Sequence, residues 1–150
     1  MKNMDRYYKT EEIQKSLKVF IALSRTQRKL MDISNKSAQG WGLNPTEFAV
    51  LELLFHKGEQ PLQRIGEKIL IASGSITYVV DKLEKKDFAK RRPCPRDRRV
   101  IYAQLTQKGQ ELMEEMFPKH EVILHECMEM LTTEEKDQLL VLLKKVGCYE

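Results

Sequence analysis

The sequence contains no apolar run that approaches the ~20 residues needed to span a bilayer. Its first stretch, MKNMDRYYKTEEIQ, also lacks the apolar segment of a secretory signal peptide. Cysteine is scarce. The chain has three, Cys94, Cys127 and Cys148, which are widely spaced and odd in number. These absences predict a cytoplasmic protein that has no membrane partner and keeps its cysteines as thiols.

Motifs for bond-making chemistry are missing as well. The chain has no glycine-rich phosphate loop, no nucleophile elbow and no paired metal motif, so we expect neither an enzyme nor a cofactor. Four possible metal ligands lie close together in the sequence: His120, Glu121, His125 and Cys127. No second cluster supplies further ligands at typical spacing, and we therefore predict no metal site.

What the chain does have is a concentration of positive charge. Its formal net charge is +4, yet residues 82–99 carry nine lysines and arginines against three acidic residues, a net charge of +6. An arbitrary basic run is usually only a solvated face. A basic block inside an otherwise slightly acidic chain instead indicates a polyanionic partner.

The spacing of apolar residues predicts helices over most of the chain. Apolar side chains three and four positions apart predict a long amphipathic helix from Thr10 to about Ile33, followed by the polar linker SNKSAQGWG. Asn44, Pro45 and Glu47 form a strong start signal for the next helix, and Gly58 is a suitable end.

Two short helices separated by a tight turn are predicted next. Pro61 opens the first, and Ser73 is a plausible cap for the second. The second helix has a single apolar stripe with i, i+3, i+4 and i+7 spacing, formed by Ile76, Val79, Val80 and Leu83. This pattern is typical of a helix-turn-helix.

A change of period then predicts a β-hairpin. The segments DFAKRR and RVIYAQL read as short strands joined by the loop PCPRD. A hairpin directly after a helix-turn-helix forms a wing that holds the loop arginines in a fixed position. The predicted fold class is therefore mostly α with a small β-hairpin wing, a winged helix-turn-helix with long N- and C-terminal helices.

The helices at both chain ends predict self-association. Thr106 caps a helix that contains Pro118, and Thr132 with Glu135 forms a capping box before a leucine-rich last helix. These apolar faces are broader than a compact winged helix can cover, so we predict a two-fold homodimer rather than a monomer. We assign about residues 45–105 to a DNA-binding lobe, and about 10–36 and 106–148 to dimerisation helices of the same single domain.

A two-fold dimer of winged helices has a direct consequence for DNA. Its two recognition helices can enter successive major grooves on one face of the duplex. The wing arginines can then reach the adjacent minor groove, whose negative potential attracts arginine. The side chains expected at double-stranded DNA are Ser73, Ser75, Thr77, Tyr78 and Lys82 on the helix, and Arg96, Arg98 and Arg99 in the loop.

The segment RDRRVIYAQLTQKG resembles the wing-to-helix signature of the MarR family of bacterial regulators. The signature positions are Asp97, Arg99, Leu105, Thr106 and Gly109. Three more segments are similar to the family's second helix, its recognition helix with the first wing strand, and its last helix: LNPTEFAVLELLFHKG, IASGSITYVVDKLEKKDFAKR and LTTEEKDQLLVLLKKVG. The resemblance implies a homodimeric repressor that binds a palindromic operator, in which Asp97 steadies the loop and Arg99 reaches the minor groove.

The resemblance also implies release of DNA on a chemical signal. One mode is a pocket for a small phenolic or quinone-like ligand between the dimerisation helices and the winged domain. Its candidate lining residues are Phe20, Trp41, Phe48 and His56, although aromatic residues at helical spacing are usually core. The alternatives are thiol oxidation at Cys94, whose arginine neighbours should favour the thiolate, and a winged-helix protein-interaction module that never binds DNA. The basic block disfavours the last of these.

Overall fold

The computed structural model describes residues 10–69 and 73–147, and these ranges form six helices and one three-stranded antiparallel sheet. The elements in chain order are α1 (Glu11–Gly40), α2 (Pro45–Lys57), β1 (Gln60–Pro61), α3 (Leu62–Lys68), α4 (Ser73–Lys85), β2 (Ala89–Pro93), β3 (Ile101–Leu105), α5 (Gln107–Glu126) and α6 (Thr133–Gly147). The predicted fold class is confirmed. Among the described helices, none has the length and apolar character to cross a membrane.

Helix α1 is longer than its sequence predicts. The polar segment that we expected to be a linker continues the helix to Gly40. Ala38 is fully buried there, and the Ser37 hydroxyl lies 3.2 Å from Nδ1 of His120 on α5. These tertiary contacts stabilise a helix where the local composition favours a loop.

Helix α2 begins and ends at the predicted residues. Asn44 Oδ1 accepts a hydrogen bond from the Glu47 amide at 2.8 Å, and the Glu47 carboxylate accepts one from the Asn44 amide at 3.2 Å. The same buried carboxylate accepts from Lys86 Nζ at 2.7 Å. Gly58 follows the helix with a φ of 72°, a conformation that favours glycine. Through Glu47 and Lys86, the start of α2 is attached to the segment that follows α4.

The core lies where helices α2 to α5 and strand β3 meet. Its buried apolar side chains include Val50, Leu51 and Leu54 of α2, Ile65 of α3, Ile76, Val80 and Leu83 of α4, Ala103 of β3, and Met113 and Met116 of α5. The predicted apolar stripe is therefore the buried face of α4. Burying one such Leu or Ile contributes about 1.5–3 kcal/mol, so the stripe holds the opposite face of α4 outward.

The sheet has the strand order β1-β3-β2. Strands β2 and β3 form the predicted hairpin, with a register that runs from Ala89 opposite Leu105 to Pro93 opposite Ile101. Strand β1 pairs with the other edge of β3 and was not predicted. It contains only two residues, one of them Pro61, so it has no alternating pattern, and a proline is tolerated because the strand lies at the sheet edge.

The first and last helices contribute little to this core: Ala38 is the buried residue of α1, and no residue of α6 is buried. Helix α5, which supplies Met113 and Met116 to the core, continues through Pro118. Four apolar side chains of α6 are more than half exposed: Leu140, Val141, Leu142 and Val146. The described part of this single chain therefore leaves the apolar faces at both ends uncovered.

Candidate nucleic-acid interface

The recognition helix α4 presents a polar face to solvent. Ser75, Thr77 and Tyr78 are exposed and Lys82 is half-buried, on the side opposite the buried stripe. The helix begins at Ser73, but the side chain of that residue lies outside the described part of the structure. Four of the five helix residues expected at DNA thus lie on one accessible face.

Tyr78 and Lys82 form a pair one turn apart on this face. The Lys82 ammonium lies 4.7 Å from the centroid of the Tyr78 ring. Hydrogen bonding with the Tyr78 side chain raises the pKa of Lys82 above its ordinary value. Like any lysine with an undepressed pKa, Lys82 is positively charged at neutral pH. The pair combines a cation with a rigid aromatic ring.

The wing loop is closed by backbone and side-chain hydrogen bonds. The Cys94 amide donates to the Val100 carbonyl at 2.9 Å, and the Val100 amide donates to the Asp97 carbonyl at 3.0 Å. Asp97 Oδ1 accepts from the Arg99 amide at 3.0 Å, and the two carboxylate oxygens accept from Nε and Nη2 of Arg99, both at 3.1 Å. These bonds from Arg99 hold the pKa of Asp97 below its ordinary value. Asp97 therefore orders the turn and orients Arg99.

Ionic contacts of a further arginine, Arg91, join the wing to the recognition helix. Arg91 on β2 donates to the Asp81 carboxylate at 2.7 Å, to the Thr77 carbonyl at 3.1 Å and to the Glu84 carboxylate. The Arg91 amide donates to Glu84 Oε1 at 2.8 Å. Sequence reasoning treated Arg91 as part of the basic block and as a cationic neighbour of Cys94. The alternation of side chains along β2, and the position of this strand directly after α4, are the signals that could have placed Arg91 against the helix.

The basic block is thus partly neutralised within the protein. Arg92 forms a bidentate pair with Glu59 at 2.7 and 2.9 Å and stacks on Tyr102, with 5.1 Å between the guanidinium carbon and the ring centroid. Arg91 and Lys86 also face carboxylates. The Arg99 side chain also pairs with a carboxylate, that of Asp97, but it is 91% exposed, and Arg96 and Arg98 are exposed as well. The wing tip therefore presents three exposed arginines together.

An exposed polar helix beside a basic hairpin is a geometry suited to duplex DNA, and comparison with known proteins decides the family. A family model described as "MarR family" matches residues 43–101, from the residue before the Asn44 cap to the first residue of β3. The HTH-type transcriptional regulator MhqR of Bacillus subtilis (strain 168) is 56% identical over 134 residues, which cover 89% of this chain and 92% of that relative. The chain belongs to the MarR family. Members of the MarR family are DNA-binding transcriptional regulators and not enzymes.

Two further MarR-like proteins are informative. The transcriptional repressor MprA of Escherichia coli (strain K12) is 34% identical over 122 residues, which cover 80% of this chain and 69% of that relative. Among solved structures, BpsR of Bordetella bronchiseptica, whose DNA binding is regulated by 6-hydroxynicotinic acid, has a TM-score of 0.75 and 25% identity. That match covers 87% of this chain and 98% of BpsR.

In this MarR-family chain, a cavity of about 610 Å³ lies between α1, α2 and α5. Its walls comprise Leu30, Met31, Ser34, Phe48, Glu52, His120, Glu121, Leu124, His125, Met128 and Lys136. Phe48 is the one predicted pocket residue in this wall. Sequence reasoning missed Glu52 and His120, although Glu52 lies one turn after Phe48 on the same face of α2.

The other predicted pocket residues lie elsewhere. Phe20 is 65% exposed on α1. The Trp41 ring centroid lies 4.8 Å from the Lys119 ammonium, and His56 is exposed at the surface, with its ring 4.5 Å from that of Phe117. None of these three belongs to the cavity wall formed by the described residues.

His120 is the buried titratable group of the cavity. Its ring lies 4.7 Å from the Phe48 ring, and its Nδ1 is 3.2 Å from the Ser37 hydroxyl. Burial lowers the pKa of His120 below the ordinary value of 6.5, although Glu52 and Glu121 act in the opposite direction. The imidazole is therefore neutral at pH 7 and has both a donor and an acceptor nitrogen.

The cysteines lie in separate surroundings. Cys94 is half-buried at the start of the wing loop, and the Cys127 thiol donates to the Ile123 carbonyl at 3.2 Å. Cys148 lies outside the described residues. Within the described ranges, no group of three or more His, Cys, Asp or Glu side chains is arranged to hold a metal ion. Thiol sensing at Cys94 stays a prediction.

Proposed function

We propose that this MarR-family regulator is a homodimeric repressor that binds a two-fold symmetric operator and releases it when a small aromatic compound binds. The observation that carries the proposal is the outward face of α4 beside a wing tip with three exposed arginines. A winged-helix protein-interaction module has no need of this cationic tip. The repressor assignment is also supported by the name of the relative MprA.

The uncovered apolar faces support the homodimer. Leu17, Phe20 and Met31 of α1 and Leu140 and Leu142 of α6 are between 46% and 65% exposed. Apolar patches of this extent are uncommon on monomers, and a second copy of the same chain would bury them by a two-fold contact. Residues of about 10–36 and 106–148 would then dimerise, and about 45–105 would bind DNA.

Two-fold symmetry determines how this dimer would meet DNA. The two α4 helices would enter successive major grooves about ten base pairs apart, where Ser75, Thr77 and Tyr78 read base edges. The wing tips would lie beside these grooves, with Arg99 directed into a minor groove and Arg96 and Arg98 near phosphates.

The cavity between α1, α2 and α5 is suited to a small aromatic effector. Its volume of about 610 Å³ lies within the range of ligand pockets, and most of its wall is apolar. Neutral His120 and the Glu52 carboxylate can bind ring hydroxyl groups, which fits a phenol or a hydroquinone. The structural relative BpsR, regulated by 6-hydroxynicotinic acid, supports an effector with one hydroxylated aromatic ring.

An effector at this position could change the angle between α1 and the DNA-binding lobe. Release requires that it prefers the geometry that does not bind DNA, and a 100-fold loss of operator affinity requires about 2.7 kcal/mol of differential binding. Linkage makes the coupling reciprocal, so operator DNA should weaken effector binding by the same factor.

The experiment selects a DNA site from random sequence and footprints it with the purified protein, with and without phenols, quinones and oxidants. We expect a symmetric footprint that a hydroxylated aromatic compound removes. Glu52→Gln should weaken this response and leave operator binding unchanged, while Cys94→Ser should leave the response intact. A monomeric footprint on an asymmetric site would refute the dimer. Loss of the response in Cys94→Ser, with normal DNA binding, would replace the pocket with thiol sensing.

A further inference from the structure

The C-terminus of the recognition helix is closed by a left-handed cap. The Phe88 amide donates to the Leu83 carbonyl and the Asp87 amide to the Glu84 carbonyl, both at 2.9 Å. Asp87 has a φ of 60°, a positive value that this type of cap requires and that residues other than glycine rarely adopt. The cap directs the carbonyl groups of residues 86–88 away from α4.

Three of these carbonyl groups accept hydrogen bonds from the first turn of α5. The Asp87 carbonyl accepts from the Thr106 hydroxyl at 2.5 Å, and the Phe88 carbonyl accepts from the Thr106 amide at 3.1 Å. The carbonyl of Lys86 accepts from Lys108 Nζ at 3.2 Å. We call this contact between residues 86–88 and 106–109 the cap joint.

Two residues of the family signature complete the cap joint. The Thr106 hydroxyl also accepts from the Gly109 amide at 3.0 Å, so one side chain caps α5 and bonds to the end of α4. Gly109 is buried, and a Cβ at this position would lie 2.0 Å from the Phe88 carbonyl oxygen. The first turn of α5 therefore packs directly on the backbone between α4 and β2, where only glycine fits.

We propose that Thr106 and Gly109 are positioning residues for DNA binding, which transmit the orientation of α5 to the recognition helix and the wing. The cap joint holds the end of α4, the start of β2 and the end of β3 at one point of α5. Neither residue lies on the outer face of α4 or in the wing loop. A rotation of α5 therefore moves α4 and the wing together instead of being absorbed by a flexible connection.

The inference rests on the proposed operator binding and is tested with the full-length protein without effector. Thr106→Val keeps the shape of the side chain but removes the hydroxyl, so two hydrogen bonds are lost. We expect operator affinity to fall about tenfold, while affinity for non-specific duplex DNA and the salt dependence stay unchanged, because no phosphate contact is lost. Thr106→Ser, which retains the hydroxyl, should restore operator affinity.

Gly109→Ala provides a second variant with a larger displacement, and it should bind the operator more weakly than Thr106→Val. Chemical denaturation shows that each variant is folded at the assay temperature, and the Thr106 pair suffices if Gly109→Ala does not fold. Wild-type operator affinity in folded Thr106→Val, or an equal loss of specific and non-specific affinity, would overturn the inference. If the unaltered protein bound no DNA, the proposed function itself would fail and this inference with it.

Discussion

Arg99→Ala and Arg92→Ala remove the same charge from the wing but should differ in their effect on DNA binding. Arg99 is 91% exposed at the wing tip, where Asp97 holds it outward. Arg92 is 37% exposed, and its guanidinium is bound to Glu59, next to β1 at the opposite edge of the sheet, and stacks on Tyr102. Both arginines pair with a carboxylate of the protein, but only the Arg99 guanidinium is exposed enough to contact a phosphate and so release counterions from DNA.

The magnitude follows from counterion release. Each phosphate neutralised on B-DNA contributes about 0.9 to the slope of log affinity against log salt concentration. On a half-site, Arg99→Ala should therefore reduce the slope by about 0.9, and between 50 and 200 mM salt the affinity difference from the unaltered protein should shrink about 3.5-fold. On a full operator, where the dimer loses two arginines, the slope should fall by about 1.8 and this difference should shrink about 12-fold. Arg92→Ala should leave the slope unchanged.

Fluorescence anisotropy with a labelled duplex, measured at four or more salt concentrations, gives both slopes. Each wing arginine counts once per subunit, so a symmetric dimer on a full operator should show twice the change seen on a half-site. An equal change of slope in both variants would show that net charge alone matters. In that case the distinction between half-buried and exposed arginines would be refuted.

Three further predictions concern stability and assembly. Asn44→Ala removes the cap of α2 and should lower the free energy of unfolding in urea by about 1 kcal/mol; an unchanged midpoint would contradict the role of this cap. Because burial lowers the pKa of His120, the unfolded chain binds this proton more tightly. The contribution of neutral His120 to the free energy of unfolding should therefore be fully present above pH 6.5 and be lost as the pH is lowered below it. His120→Gln should reduce this pH dependence, and His56→Gln should retain it. Leu142→Glu should convert dimers into monomers in light scattering, while Lys57→Glu, at an exposed position of the DNA-binding lobe, should not; a monomeric unaltered protein would contradict the predicted interface.

The elements that sequence reasoning predicted well are those with local signals. Asn44 and Glu47 determine a helix start by hydrogen bonds three residues apart, and this contact is present in the structure. The apolar stripe of α4 and the alternation of β3 depend on periodicity alone. These signals sufficed for the winged helix-turn-helix and for the face that α4 presents.

The features that could not be predicted depend on contacts between distant residues. The extension of α1 to Gly40 requires packing against α5, and β1 exists only because β3 offers a free edge. The pairs Arg91–Asp81 and Arg92–Glu59 join different elements, so the sequence did not indicate that these two arginines face carboxylates of the protein. The cavity wall combines residues of α1, α2, α5 and α6, and Phe48 is the one residue of the predicted pocket that lies in it.

The Arg91 contact has a consequence for engineering. Because Arg91 of β2 bonds to Asp81, Glu84 and the Thr77 carbonyl of α4, the helix and the wing form one exchangeable unit. A chimaera that received only a foreign α4 would place other side chains at positions 81 and 84, and Arg91 would lose its carboxylate partners. Transplantation of operator preference between relatives should therefore include residues 73–105 as a block.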